Sequence, residues 1–190
     1  DKFFSKYQID TVLHTANKGG TLKTAGNPDV VETNLRIFIN LIKNKNRFGR
    51  MIYFGSGAEY GKHRAIRKVS ETDFSKRIPT DAYGLYKYTC SLISHDYIKI
   101  TNLRLFGIYG KYEDYEQRFI SSSILQTLLN RPLTIQQNAY FDYLYINDLV
   151  KIVDYFINHK PSYSDYNVGR GRRTSLLTLA KTILQVSGKK

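Results

Sequence analysis

Short apolar runs alternate along this chain with longer stretches of helical periodicity, and that alternation limits the possible folds more than any other feature. Residues 9–16 read as a short buried strand ending in small residues, followed by a loop over 19–27. Between 28 and 45 the apolar residues Val31, Leu35, Phe38, Ile39 and Ile42 recur at the spacing of one helical face. Residues 51–54 form the next strand and run directly into Gly55-Ser56-Gly57. A long polar loop is expected over 58–80, a helix over 82–95 and a strand over 98–106. Past Gly110 the pattern changes to a helix near 118–129, a tyrosine-rich stretch at 140–146 and a helix at about 148–158. A strand-like 166–168 and a final helix over 175–186 follow, with Gly188 as a natural stop. Strands separated by helical crossovers make a parallel sheet covered by helices, so the fold class is α/β.

Composition removes several function classes. A 42% hydrophobic and 14% aromatic share over 190 residues describes a globular chain with a sizeable core. No run approaches the roughly 18 apolar residues of a membrane span, and Asp1-Lys2-Phe3-Phe4 lacks a signal-peptide layout, so no membrane partner is expected. The single cysteine, Cys90, allows no internal disulfide and fits a reducing, cytoplasmic setting. With four scattered histidines beside it, no metal site is expected. The net charge of +13 is spread over separate groups at 43–50, 62–68 and 170–173. That distribution suits a solvated basic surface, or a pull on an anionic ligand, better than a nucleic-acid stripe, and no nucleic-acid motif accompanies it.

The stretch that carries chemistry is Tyr83-Gly84-Leu85-Tyr86-Lys87. A spacing of four places Tyr83 and Lys87 on one helical face. An ammonium beside a phenol favours the phenolate, which makes tyrosine usable as a general base or acid near neutral pH. With 16 tyrosines in the chain, about one such pair would arise by chance, and an ordinary surface pair is the plain alternative. Upstream, Phe54-Gly55-Ser56-Gly57-Ala58-Glu59-Tyr60-Gly61 follows a strand, and its small residues permit close approach of backbone to a ligand.

Together these residues resemble the extended short-chain dehydrogenase/reductases, the sugar-nucleotide epimerase/dehydratase family. There a strand ends in Ser/Thr-Ser-x-x-Val-Tyr-Gly with the catalytic hydroxyl four residues before the tyrosine, which here is Ser56. Tyr83 and Lys87 match the catalytic tyrosine and lysine. Asp10-Thr11-Val12-Leu13-His14-Thr15-Ala16 resembles the family's Asp-x-Val-x-His-x-Ala beside the cofactor, and Asn34 its site-shaping helix asparagine. Leu103-Arg104-Leu105-Phe106-Gly107-Ile108-Tyr109-Gly110 resembles Leu-Arg-x-Phe-Asn-x-Tyr-Gly, which passes the nicotinamide. Phe141-Asp142-Tyr143-Leu144-Tyr145-Ile146-Asn147-Asp148 resembles Arg-Asp-Phe-x-Tyr-Val-x-Asp, and Tyr166-Asn167-Val168-Gly169 with Ser175 a closing Tyr-Asn-x-Gly…Ser.

The resemblance implies a partial Rossmann-type parallel sheet flanked by helices over 1–110. It also implies a smaller C-terminal α/β substrate-binding region over 111–190, with segments returning to the first part. Ser56, Tyr83 and Lys87 are then the catalytic group. Thr15, Ala16, Asn34, Phe54, Gly55, Tyr83, Lys87, Phe106 and Ile108 line an NAD or NADP cofactor, NAD being favoured. Ser56, Gly57, Gly107, Arg118, Phe119 and Phe141 face a nucleotide-diphosphate sugar. Phe141 stands where an arginine commonly reaches the phosphates; Arg118 is the candidate replacement, and Arg170, Arg172 and Arg173 are further ones. Gly57 and Ala58 stand where 4,6-dehydratases carry Asp-Glu, and Ala58 where the fucose-synthase type carries cysteine. A 4-epimerase therefore leads, with a 4-keto reductase or an inactive binding module as alternatives. The helices at 28–45 and 82–95 would pair with a second copy as a homodimer. No Gly-x-x-Gly-x-x-Gly fingerprint precedes Asp10; by the same resemblance roughly 60 to 70 residues and three strands would come before Asp1. The first strand is then expected at an open sheet edge.

Overall fold

The computed structural model describes residues 2–19, 27–97 and 99–189, without the side chains of Lys2 and Pro28. Its elements are α1 (Lys2–Lys6), β1 (Ile9–His14), α2 (Pro28–Lys43), β2 (Phe48–Ser56), α3 (Ala82–His95) and β3 (Ile100–Leu105). They continue as β4 (Gly107–Tyr109), α4 (Phe119–Leu128), β5 (Tyr140–Tyr145), α5 (Ile146–Asn158), β6 (Asp165–Val168), β7 (Arg173–Ser175) and α6 (Leu176–Val186). Short 3₁₀ turns lie at Lys45–Arg47, Gly57–Tyr60 and Glu71–Asp73. Most of the loop expected over 19–27, and Ile98 at the start of the strand expected over 98–106, lie outside the described residues.

The chain divides into two compact units, Asp1–Leu105 with Tyr155–Val168, and Phe106–Asp154 with Gly169–Lys190. In the first unit a four-stranded sheet runs β1-β2-β3-β6, every pair parallel. This is the α/β architecture that the strand–helix alternation predicts. β1 lies at one edge of the sheet.

α2 and α3 form because each has a cap and an apolar stripe. The Asn27 side chain accepts from Asp29 N–H, and the Asp81 side chain accepts from Gly84 N–H, each satisfying an amide that the helix start would leave orphaned. Their apolar faces meet the sheet in one core of Val30, Phe38 and Ile42 from α2, Phe48, Met51 and Tyr53 from β2, Tyr86 and Cys90 from α3, and Ile100 from β3. β2 begins at Phe48, three residues earlier than its apolar run suggests. Arg50, which interrupts that run, satisfies its guanidinium within the fold. It donates to Thr11 Oγ1, to the His159 carbonyl at 3.1 Å and to the Ile157 carbonyl. Gly49 is required beside it, because an added Cβ would lie 2.5 Å from the Asp10 carbonyl oxygen.

In the second unit β4 pairs parallel with β5, and β5 antiparallel with β7. α4 packs against α6. The Asp142 carboxylate accepts from the Arg170 and Gly171 amides at 2.8 Å each, which fixes the turn before β7. Neither α1 nor β7 is foreseen by the sequence pattern.

His14 ends β1 with its ring against Phe38 and Tyr53, centroids 5.8 and 5.5 Å away. Burial, aided by the Lys87 charge, lowers its pKa from 6.5 to about 4. The folded protein therefore holds His14 neutral where the unfolded chain would protonate it. Stability should fall as pH drops from 6.5 through about 4, by roughly 2–3 kcal/mol from this group. Urea unfolding across that range should show the slope, and His14→Gln should flatten it.

Candidate active site

β2 ends in Ser56, and the chain turns at once into the buried 3₁₀ segment Gly57–Tyr60. Ser56 Oγ accepts from Ala58 N–H at 3.1 Å, while Ser56 N–H donates to Glu59 Oε1 at 2.8 Å. This reciprocal capping fixes the serine at the C-terminal end of a central parallel strand, where sites gather in open α/β sheets. Gly61 closes the turn at φ +77°, a conformation that suits glycine.

α3 starts against this same turn. Gly84 makes that approach possible, since an added Cβ would meet the Ala58 carbonyl oxygen at 3.0 Å and Pro79 Cβ at 2.8 Å. Tyr83 therefore begins a helix seated beside the serine turn, its ring edge-on to Tyr86 with centroids 5.4 Å apart. Lys62 Nζ lies 5.3 Å from the Tyr83 ring and forms an ion pair with Asp81 at 3.2 Å.

One turn further on, Lys87 is buried with its Nζ donating to the Phe54 carbonyl, two residues before Ser56. The same nitrogen stands 4.9, 5.4 and 6.0 Å from the rings of Tyr53, Tyr86 and Tyr83. Burial lowers the ammonium pKa to about 8, with the charge of Glu59 opposing the fall. Lys87 thus remains a cation at neutral pH, set among phenol rings. Tyr86 in turn donates to Asn17 Oδ1, which ties the segment after β1 to α3.

The remaining candidates of the first unit sit around that segment. Thr15 and Ala16 follow β1 and are exposed, Thr15 N–H donating to the Leu13 carbonyl at 3.2 Å. Asn34, buried in α2, holds Lys18 by both backbone groups: its Nδ2 donates to the Lys18 carbonyl and its Oδ1 accepts from Lys18 N–H, each at 2.8 Å. A cleft of about 500 Å3 beside β1 is lined by Thr15, Ala16, His14, Leu13, Ile37 and Leu41 among others, and by none of Ser56, Tyr83 and Lys87. Phe54 and Gly55 lie in β2, and Gly57 is buried in the turn.

Phe106, Gly107, Ile108, Arg118, Phe119 and Phe141 belong to the second unit. Gly107 and Ile108 lie in β4, opposite Tyr143 and Leu144. A side chain at Gly107 would strike the Asp142 carbonyl at 2.6 Å and the Tyr143 ring at 3.0 Å, so the asparagine of the related pattern has no room here. Phe141 is half-exposed with its ring 5.7 Å from that of Tyr143. Arg118 caps the start of α4. Burial and the Glu113 charge push the Tyr143 hydroxyl up to about 12, and the Arg118 charge opposes them.

Sequence reasoning missed the groups behind the serine turn. Glu59 is fully buried, and its Oε2 receives Arg104 Nε and Ser91 Oγ, each at 2.6 Å. Arg104, equally buried, pairs at its other end with Asp165 at 2.6 Å, and His95 meets Asp165 at 2.8 Å. A charged residue inside the strand run of 100–105 was the available signal.

The nicotinamide end of a dinucleotide fits this donor set. Lys87 carries three donors, of which the Phe54 carbonyl takes one, and the small residues after β1 leave the neighbouring backbone approachable. A parallel α/β sheet with a serine at a strand end and a Tyr-x-x-x-Lys helix seated on it defines the class. The chain belongs to the NAD dependent epimerase/dehydratase family, whose model matches residues 1–169. It is 28% identical over 197 residues to the uncharacterized UDP-glucose epimerase YtcB of Bacillus subtilis, covering 96% of this chain and 60% of that protein. The UDP-glucose 4-epimerase of Pisum sativum is 25% identical over 222 residues, covering 100% and 63%. Among solved structures, the UDP-glucuronic acid 4-epimerase of Bacillus cereus with UDP-glucuronic acid and NAD superposes at a TM-score of 0.83 and 25% identity. That match covers all of this chain and 62% of the other. The UDP-glucose 4-epimerase of Thermotoga maritima with UDP-glucose gives 0.85 at 21% identity, covering 100% and 64%. The chain thus spans about 60% of the length of the curated relatives it matches. No helix among the described residues is long and apolar enough to cross a membrane.

Gly55 lets the turn close on its support. An added Cβ there would overlap both Asn102 Oδ1 and Glu59 Oε1, both buried, and Glu59 Oε1 cannot withdraw without losing the Ser56 amide. Gly55→Ala should cost about 2 kcal/mol or more in urea unfolding. An unchanged midpoint would show that the turn is looser than this geometry.

Proposed function

We propose that the intact protein is an NAD-dependent nucleotide-sugar 4-epimerase, and that Ser56, Tyr83 and Lys87 carry its proton traffic. The observation that supports this most directly is the buried Lys87 ammonium, anchored on the Phe54 carbonyl and 6.0 Å from the Tyr83 ring, beside the turn that presents Ser56. A cation at that position favours the phenolate of Tyr83. The phenolate takes the proton of the sugar 4-hydroxyl, and the returning proton restores the hydroxyl at the end of the cycle. Ser56 Oγ already accepts from Ala58, so its own hydrogen is directed elsewhere and can bond the sugar oxygen as it becomes a ketone. A nicotinamide held beside Lys87 and the backbone after β1 would supply hydride acceptance and return at the sugar carbon.

Thr15, Ala16, Asn34, Phe54 and Gly55 belong to the cofactor side of this reading, with Phe106 and Ile108 completing it. Gly57, Gly107 and Phe119 are assigned to the substrate side. Arg118 is assigned the cationic contact to the pyrophosphate that Phe141 cannot supply. The 4-epimerase chemistry is favoured over dehydration because Gly57 and Ala58 offer no acid–base pair. α2 and α3 are assigned to a homodimer interface in the intact protein.

Incubation of the full-length protein with NAD and UDP-galactose or UDP-glucuronic acid should interconvert the C4 epimers. Tyr83→Phe should lower kcat by about 1,000-fold or more while leaving the fold intact. Full activity in that variant would overturn the assignment.

A further inference from the structure

We propose that Glu59 is a positioning residue for the reaction: its buried carboxylate, held by Arg104, fixes the backbone of the turn that presents Ser56. The inference rests on the catalytic reading of Ser56 given above. The related pattern has valine at this place, an apolar side chain with no acceptor to offer. Here the side chain is a carboxylate with no exposure to solvent, and a buried charge persists only where its partners are good.

Its partners are good and they divide between its two oxygens. Oε1 takes the Ser56 amide at 2.8 Å. Oε2 takes Arg104 Nε and Ser91 Oγ at 2.6 Å each, with Asn102 Nδ2 at 3.3 Å. Arg104 is itself unable to shift. Its guanidinium stacks 4.3 Å from the Phe74 ring and 5.6 Å from the Tyr60 ring, and it pairs with Asp165 on β6. One oxygen of Glu59 is thus locked to β3 and α3, while the other holds the serine's own amide. A short charge-assisted bond of this kind restricts the serine backbone more tightly than apolar packing would.

The carboxylate has a second consequence at the site. Its charge opposes the loss of the Lys87 proton on burial. Glu59→Gln keeps one oxygen, which can serve the Ser56 amide only with its NH2 turned toward the Arg104 Nε–H, whereas Glu59→Val keeps bulk alone.

The test is amide exchange by NMR together with turnover of UDP-galactose, both on the full-length enzyme. Glu59→Val should speed exchange at the Ser56 amide by about tenfold or more, with the Ile52 and Leu103 amides unchanged as controls of the fold. The same variant should lower kcat by about tenfold with KM within about twofold. Glu59→Gln should restore part of the Ser56 protection and of kcat. Unchanged Ser56 exchange in Glu59→Val overturns the proposal, as does a glutamine variant no better than the valine one. If Glu59→Val does not fold, the glutamine variant decides: an unprotected Ser56 amide rejects it. Absence of turnover in the unsubstituted enzyme would defeat the catalytic reading and leave the exchange result to judge the clamp alone.

Discussion

A carboxylate and a guanidinium, both without solvent exposure, sit where four elements of the first unit converge. Glu59 comes from the turn after β2 and Arg104 from β3. Ser91 adds α3 and Asp165 adds β6. Taking two charges out of water costs several kcal/mol per ion, so the arrangement tolerates little displacement of any member. Gly55 has no side chain because that volume is filled by Asn102 and Glu59. Phe74 is brought onto Arg104 from the loop before α3, which gives that polar segment a fixed course.

The site uses the same economy of buried polar groups at its other members. Lys87 would be costly in the core, yet it has the Phe54 carbonyl and three phenol rings around it. Burial, aided by the Lys87 charge, keeps His14 neutral against Phe38 and Tyr53. Asn34 spends its amide on both backbone groups of Lys18, and Asn17 takes the hydroxyl of Tyr86. The backbone after β1 and the helix of the tyrosine and lysine are therefore set by side-chain hydrogen bonds as well as by apolar packing.

The parts of this arrangement that local pattern encodes were readable from the chain alone. α3 lies at 82–95 as expected, because Asp81 caps it and its apolar face is regular. The parallel sheet follows from strands separated by helices, whereas Ser56, Tyr83 and Lys87 were singled out by family resemblance, since the Tyr83–Lys87 spacing alone arises by chance about once. What was not readable depends on partners far away in sequence. The stretch after Ser56 looked like polar loop because it contains a glutamate, but its partner Arg104 lies 45 positions further on. Arg50 hid the start of β2, since its carbonyl partners at Ile157 and His159 are more than a hundred residues distant. β7 is too short for periodicity and exists by pairing with β5.

The central claim is that the buried pair acts as one unit, and a double-mutant cycle tests it most directly. Glu59→Ala, Arg104→Ala and the double variant would be compared with the unsubstituted chain by urea unfolding, followed at amides of β2 and β3. Each single change should cost about 3–5 kcal/mol, because it strands the other charge, and the double variant should cost less than the sum by more than about 1 kcal/mol. Additive costs would contradict the account and reduce the two residues to independent packing positions.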